Sequence, residues 1–187
     1  MSLVPLRQYQ ALMKDFHAPW CIGGGWACDV WAGRESRYHA DVDIVIWRQD
    51  QTAFRSCFAD WQWQTFVNGV PRPWLAQARL ELPVHNAHGQ NGRQTMEVLM
   101  IEREGDVWWY RRNPQVRMPA SEAMLMTSSG LPVLNPAIAL LFKSKRIQEK
   151  DRHDFETVLP AMRLQDRRWL KQALLAADPD HEWIDRL

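Results

Sequence analysis

The sequence predicts an α+β fold, and three observations carry that prediction. Short apolar segments with a period of two are interspersed with helical ones through residues 1–132. From Asn135 onward the apolar spacing is helical throughout. No internal repeat or low-complexity linker separates the two regions. The 187 residues therefore read as a sheet-bearing domain (1–132) and a helical C-terminal subdomain (133–187) packed into one body.

The elements follow in order. Residues 3–16 place Leu3, Leu6, Tyr9, Leu12, Met13 and Phe16 at helical spacing, and His17-Ala18-Pro19 breaks the pattern. Residues 20–22 form a short buried strand. Three glycines, Gly23 to Gly25, turn the chain into a helix over 26–31, with Gly33 as its C-cap. After a polar loop, residues 41–47 alternate: Val42, Ile44 and Ile46 point one way, Asp41, Asp43 and Val45 the other. Asp50 is placed to cap a helix over 51–58. Residues 61–67 read as a strand and Pro71-Arg72-Pro73 as a loop. Residues 77–84 and 94–102 read as a hairpin joined through the turn-rich run His88-Gly89-Gln90-Asn91-Gly92. A short strand follows over 107–111. Residues 114–132 look irregular, apart from a short strand near 121–126. Asn135-Pro136 supplies an N-cap and a first-turn proline for a helix reaching about Ile147. Helices over 150–159 and 165–176 end at Pro160 and Pro179.

Composition narrows the function. At 46% hydrophobic and 24% charged residues, the chain is globular rather than disordered. A net charge of +1 with a pI near 7.8 provides no long-range field for nucleic acid, although a local patch fits within that balance. Cys21, Cys28 and Cys57 form neither a disulfide framework nor a metal spacing, which suits a reducing compartment, with Cys21 and Cys28 as small buried residues. No apolar run reaches the ~20 residues that span a bilayer, and the N-terminal residues lack a signal-peptide pattern. The expected location is the cytoplasm, without membrane attachment. Eleven tryptophans are unusual for this length. Most should fill gaps in the core, and some should border a cleft for a ring-shaped ligand.

Two features carry chemistry. Asp41 and Asp43 lie on one face of a strand, where two carboxylates can hold Mg²⁺ or can simply be exposed acids at a strand end. The glycine turn sits between a strand and a helix, so its N–H groups and the helix N-terminus make an anion site, or the turn is only tight. No Lys-Ser or Lys-Thr follows it, which excludes a Walker loop. The dinucleotide spacing fails at Cys28.

The string Ile22-Gly23-Gly24-Gly25-Trp26-Ala27, with Asp29, Gly33-Arg34, Arg37, His39 and Asp41-Val42-Asp43-Ile44, resembles the polymerase-β-type nucleotidyltransferase superfamily. It resembles in particular the aminoglycoside 2″-nucleotidyltransferases and their lincosamide-modifying relatives, without a gap from the glycines to the Asp pair. Trp108-Trp109-Tyr110-Arg111-Arg112 and the stretch from Leu134 to Lys143 resemble the same group. Relatives often carry a Glu after the proline of the Leu-x-Pro segment, where this chain has Ala137.

The resemblance implies a nucleotidyltransferase-type mixed β-sheet flanked by helices. It also implies a Mg²⁺-dependent transfer of NMP from ATP or another nucleoside triphosphate to a hydroxyl of a small-molecule acceptor, such as an aminoglycoside- or lincosamide-like antibiotic. Asp41 and Asp43 are then metal ligands. Glu97, or failing it Glu102, is the third carboxylate, as metal ligand or as base. Gly24, Gly25, Trp26, Arg37, His39 and Lys143 are candidates for holding the nucleotide. Lys145 fits a solvated helix end better. Asp151 and Asp154 read as partners of Lys150 and Arg152, Asp29 as a residue that faces a buried partner or caps locally, and Arg111-Arg112 as a solvated pair in preference to a site for an anionic group. The alternatives are nucleotidylation of tRNA or protein, and a nucleotide-binding module without catalysis.

Overall fold

A computed structural model of the protein describes residues 4–187, so Leu3 lies outside the described residues. Strand β2 (Asp43–Trp47) stands near the middle of a mixed sheet. It runs antiparallel to β1 (Trp20–Ile22) and parallel to β6 (Gln94–Glu104). Beyond β6 come β5 (Asn86–Asn91), β3 (Gln62–Val67) and the edge strand β4 (Val70–Pro73). Beyond β1 come β10 (Pro132–Leu134), which is parallel to it, and β9 (Met124–Met126). The far end of β6 pairs with β7 (Val107–Tyr110), which pairs in turn with β8 (Asn113–Pro119). The α+β class and the mixed sheet are as expected.

Helices cover both faces. On one face α2 (Gly24–Ala32) packs with α5 (Pro136–Lys143) and α6 (Glu149–Val158). Helix α7 (Leu164–Ala177) packs on α5 and β8. On the other face Phe54 of α3 (Gln51–Cys57) meets Trp63 of β3 edge-on at 5.2 Å, beside Phe16, which follows α1 (Val4–Leu12). Ile44, Ile46, Val98 and Met100 fill this layer. Most tryptophans are core residues, as composition suggested. Cys21 and Cys28 are buried, and burial pushes the Cys28 thiol up to about 12, so neither is a nucleophile.

Several boundaries differ from the sequence reading, each for a physical reason. Helix α2 starts at Gly24, where the chain enters the helix at φ +58°, a left-handed conformation that favours glycine. Asp41 and Val42 precede β2. Pro71-Arg72-Pro73 belongs to β4, where an edge position spares the prolines from donating. Residues 77–84 are not a strand; the partner of β6 is the supposed turn, residues 86–91. Gly89 lies within β5 because the Trp63 ring covers it, and a Cβ there would meet that ring at 2.7 Å. Asp50 makes no side-chain cap. Gln51 instead ties the helix start to Leu80 through bonds of 2.6 and 3.1 Å. Residues 114–132 hold most of β8, a single helical turn α4 (Ala120–Ala123), β9 and the start of β10. Helix α5 stops at Lys143 and continues as a 3-10 turn. Asn135 caps α5 as expected, accepting from the Ala137 N–H at 2.9 Å. Gly33 closes α2 in the left-handed conformation at φ 72°.

Candidate active site

The glycine turn and the first residue of β2 are built against each other. Gly23 N–H donates to the Asp43 carbonyl at 2.8 Å, fixing the turn to the strand. Gly24 has φ +58°, and the Asp43 carboxylate occupies the space where its Cβ would stand. At Gly25 the same space is filled by the Arg37 guanidinium and the His39 ring. No side chain caps α2, whose N-cap is Gly23. The N–H groups of its first turn therefore face outward beside Asp43, a polarity that suits an anion.

Asp43 stands directly opposite Glu97 across the parallel β2–β6 pair. Its carboxyl is pushed up to about 7, first by burial and then by Glu97 and Asp41. Among the described residues, no hydrogen bond to its carboxylate relieves that charge. Asp41 is exposed just before the strand. Glu97 is held by Asn86, whose Nδ2 donates to Oε1 at 2.7 Å, and His88 Nε2 lies 3.7 Å from the same oxygen. Lys143 and Lys150 offset the charge of Asp43 only in part, and the three carboxylates form an oxygen-only donor set of the kind Mg²⁺ takes. As the side chains stand, no three potential ligands close on one point among the described residues, Glu97 being turned to Asn86. The fit to a divalent cation is thus one of charge and donor type.

The other predicted residues form a second layer. Arg37 grips Asp154 with two bonds, Nε to Oδ1 at 2.7 Å and Nη2 to Oδ2 at 2.9 Å. Lys143 Nζ lies 2.9 Å from both Asp151 and Asp154. Burial opposes the charge of Asp154, but Arg37 and Lys143 outweigh it and hold the carboxyl below its ordinary value. Burial likewise opposes the charge of Lys143, and Asp154 together with its other neighbours, Asp151 among them, outweighs it. Asp151 and Asp154 therefore neutralise Lys143 and Arg37, not Lys150 and Arg152. Asp29 is fully buried and does face a partner. Its Oδ2 lies 2.7 Å from His39 Nε2, and it also accepts from the Ser36 backbone and hydroxyl. Trp26 is buried with its ring 4.5 Å from that of His39, so only its backbone faces the turn. Glu102 is buried against Arg48 at 2.7 Å and takes no part in the site. Lys145 is exposed.

Two cavities flank the Asp43–Glu97 pair. The larger, about 590 Å³, is bordered by Asp41, Glu97, His88, Gln64, Gln90 and Tyr9. The smaller, about 180 Å³, lies beside Gly24 and Lys143, with Val45 and Leu99 on the same sheet face and with His85 and Arg111 at its edge. Arg111 is half-buried over the Phe142 ring at 5.5 Å. Burial and then Arg112 pull it down to about 10, and the neighbouring Glu102 is already paired with Arg48. The solvated pair expected at 111–112 is therefore solvated only at Arg112. Sequence reasoning missed Asn86, which lay beside a supposed turn. It also missed the role of Asp154, whose partners stand 117 and 11 positions away.

The model of the family Aminoglycoside-2''-adenylyltransferase matches residues 5–158. A search of curated proteins returned no match. Among solved structures, the lincosamide antibiotic adenylyltransferase LnuA bound to lincomycin superposes with a TM-score of 0.59 at 17% identity, covering 87% of this chain and 99% of that one. The antibiotic-resistance factor ANT(2'')-Ia in complex with adenylyl-2''-tobramycin gives 0.59 at 11% identity, covering 91% and 95%. Its solution structure gives 0.56 at 14% identity, covering 92% and 90%. At these identities the likeness speaks for the fold.

Proposed function

Because the chain belongs to the aminoglycoside-2''-adenylyltransferase family and is thus a nucleotidyltransferase, we propose that it transfers AMP from ATP, with Mg²⁺, to a hydroxyl of a small molecule. The observation that carries this reading is the Asp43–Glu97 pair beneath the glycine turn, with a cavity on either side. The structures of LnuA with lincomycin and of ANT(2'')-Ia with an adenylylated tobramycin support an antibiotic-like acceptor.

In this reading the triphosphate lies along the first turn of α2, toward the smaller cavity. The polar groups there belong to Lys143, Arg111 and His85. Lys and Arg are donors only, which suits phosphate oxygens better than a base. Residues 133–187 act as the part that completes this side, supplying Lys143, Asp151 and Asp154. Arg37 and His39 hold the loop against Gly25 and reach phosphate only at its edge.

Asp41 and Asp43 would hold Mg²⁺, which when bound neutralises the triphosphate and makes the α-phosphorus more electrophilic. The acceptor hydroxyl approaches from the larger cavity. Its oxygen bonds to the α-phosphorus, the bond to the bridging oxygen breaks, and pyrophosphate leaves. The hydroxyl proton passes to Glu97, whose Oε1 is engaged by Asn86 and whose Oε2 is left to take it. We assign Glu97 to the proton rather than to the metal. Most of the rate enhancement then comes from positioning and charge complementarity.

Pyrophosphate release and the mass of the adenylylated acceptor test the reading. Asp41→Ala and Asp43→Ala should abolish transfer with circular dichroism unchanged. Glu97→Gln should lower kcat about 10²–10⁴-fold with the KM for ATP nearly unchanged. Full activity in either aspartate variant refutes the assignment.

A further inference from the structure

The larger cavity has a regular floor. On β3, β5 and β6, Trp63, Thr65, Ala87, Gly89, Met96 and Val98 face the core. The alternate residues face the opposite way and pair in register. Gln64 stands opposite His88, His88 opposite Glu97 and Glu97 opposite Asp43. One row along, Gln62 stands opposite Gln90, and Gln90 opposite Thr95. A sheet face of amides, a hydroxyl and an imidazole thus leads, strand by strand, to the carboxylates of the reaction. Tyr9 closes one side, held by its own hydroxyl on the Thr95 carbonyl at 2.6 Å.

The charges along this cavity are as informative. Its carboxylates are Asp41 and Glu97, both already assigned to the reaction, and its other ionisable side chains are Tyr9, Arg72 and His88. A polyamine leaving water needs a carboxylate or a set of carbonyls for each ammonium group, because an unpaired charge is costly to desolvate. Among the described residues, this wall offers no carboxylate outside the reaction set. Glutamine amides present both a donor and an acceptor, the pattern of a hydroxyl. A volume of about 590 Å³ falls within the range of cavities that hold drug-sized ligands.

We infer that the acceptor is an uncharged, polyhydroxylated ring compound, a glycoside or cyclitol, read by the Gln62, Gln64 and Gln90 amides rather than by carboxylates. The inference rests on the transfer reading above and narrows its acceptor.

The test uses matched pairs of disaccharides and cyclitols that differ only by an ammonium group in place of a hydroxyl. Binding of ATP with Mg²⁺ is first verified by calorimetry. Transfer is then read as pyrophosphate release and product mass. The hydroxyl member of each pair should have a kcat/KM about tenfold or more above its amino counterpart. Gln64→Glu, which adds a carboxylate to the floor with little change of shape, should shrink or invert that ratio. Equal or better use of the amino members overturns the inference, and so does an unchanged ratio in Gln64→Glu. Nucleotide binding without transfer to any member of the panel also overturns it, leaving the transfer reading in place. Failure to bind ATP with Mg²⁺ overturns both.

Discussion

Asp43→Asn should make the metal-free protein more stable, and the gain should depend on pH. The folded Asp43 carboxyl sits at about 7, against about 4 for an unfolded chain. Between those values the unfolded chain has lost its proton and the folded one has kept it. Stability therefore falls as pH rises from about 4 to about 7, and is level on either side. About three pH units at 1.36 kcal/mol each gives about 4 kcal/mol as the full penalty. Asp43 keeps some contact with solvent, which screens the effect, so about 2 kcal/mol is the expected gain for the variant at pH 8.5. By the same scaling the gain at pH 5.5 should be about half of that. Asp29 and Asp154, both held low by their partners, lose their contribution as pH falls, but they do so in both proteins and cancel in the difference. Urea unfolding in EDTA from pH 5.5 to 8.5 measures this. Added Mg²⁺ should restore stability to the wild type and leave the variant unmoved. A variant no more stable than the wild type at pH 8.5, or a gain independent of pH, would show that the crowded carboxylates do not interact as described.

Two further outcomes are expected. Asp154→Ala leaves Arg37 and Lys143 without their shared partner and should cost about 3–5 kcal/mol in urea unfolding; a loss under 1 kcal/mol would mean that solvent takes over both cations. Arg111→Ala should weaken ATP and pyrophosphate binding about tenfold while leaving AMP binding nearly unchanged, and an equal loss for AMP would place the base, not the terminal phosphates, in the smaller cavity.

Legibility in the sequence followed how local the determinant was. Strand β2 and helices α5 to α7 were readable because apolar period and capping residues lie within each element. Strands β4 and β5 were not. Their prolines and glycines mark breaks by every local rule, and what makes them strands is an edge position and the ring of Trp63, 26 positions from Gly89. In the site, the acids on β2 and β6 stood out as charged residues beside apolar runs. Their arrangement across the sheet is a matter of register, which the resemblance suggested and periodicity alone did not. Asn86 carries no signature, since an asparagine near a turn is unremarkable until the strand beside it is known. Lys143 was singled out for its charge, but its pairing with Asp154 depends on how two helices pack.

Asp154 also bears on how the molecule is made. It is fully buried on α6 and joins the loop at Arg37 to α5 at Lys143. A chain leaving the ribosome has its glycine turn and all three acids once Glu97 is made, but the clasp that seats the neighbouring loop arrives some 57 residues later, at Asp154. Strand β10, which enters the sheet between β1 and β9, is also late. A nascent chain thus carries an acidic cluster before it has the framework to use it, and competence to handle nucleotide waits for α5 and α6.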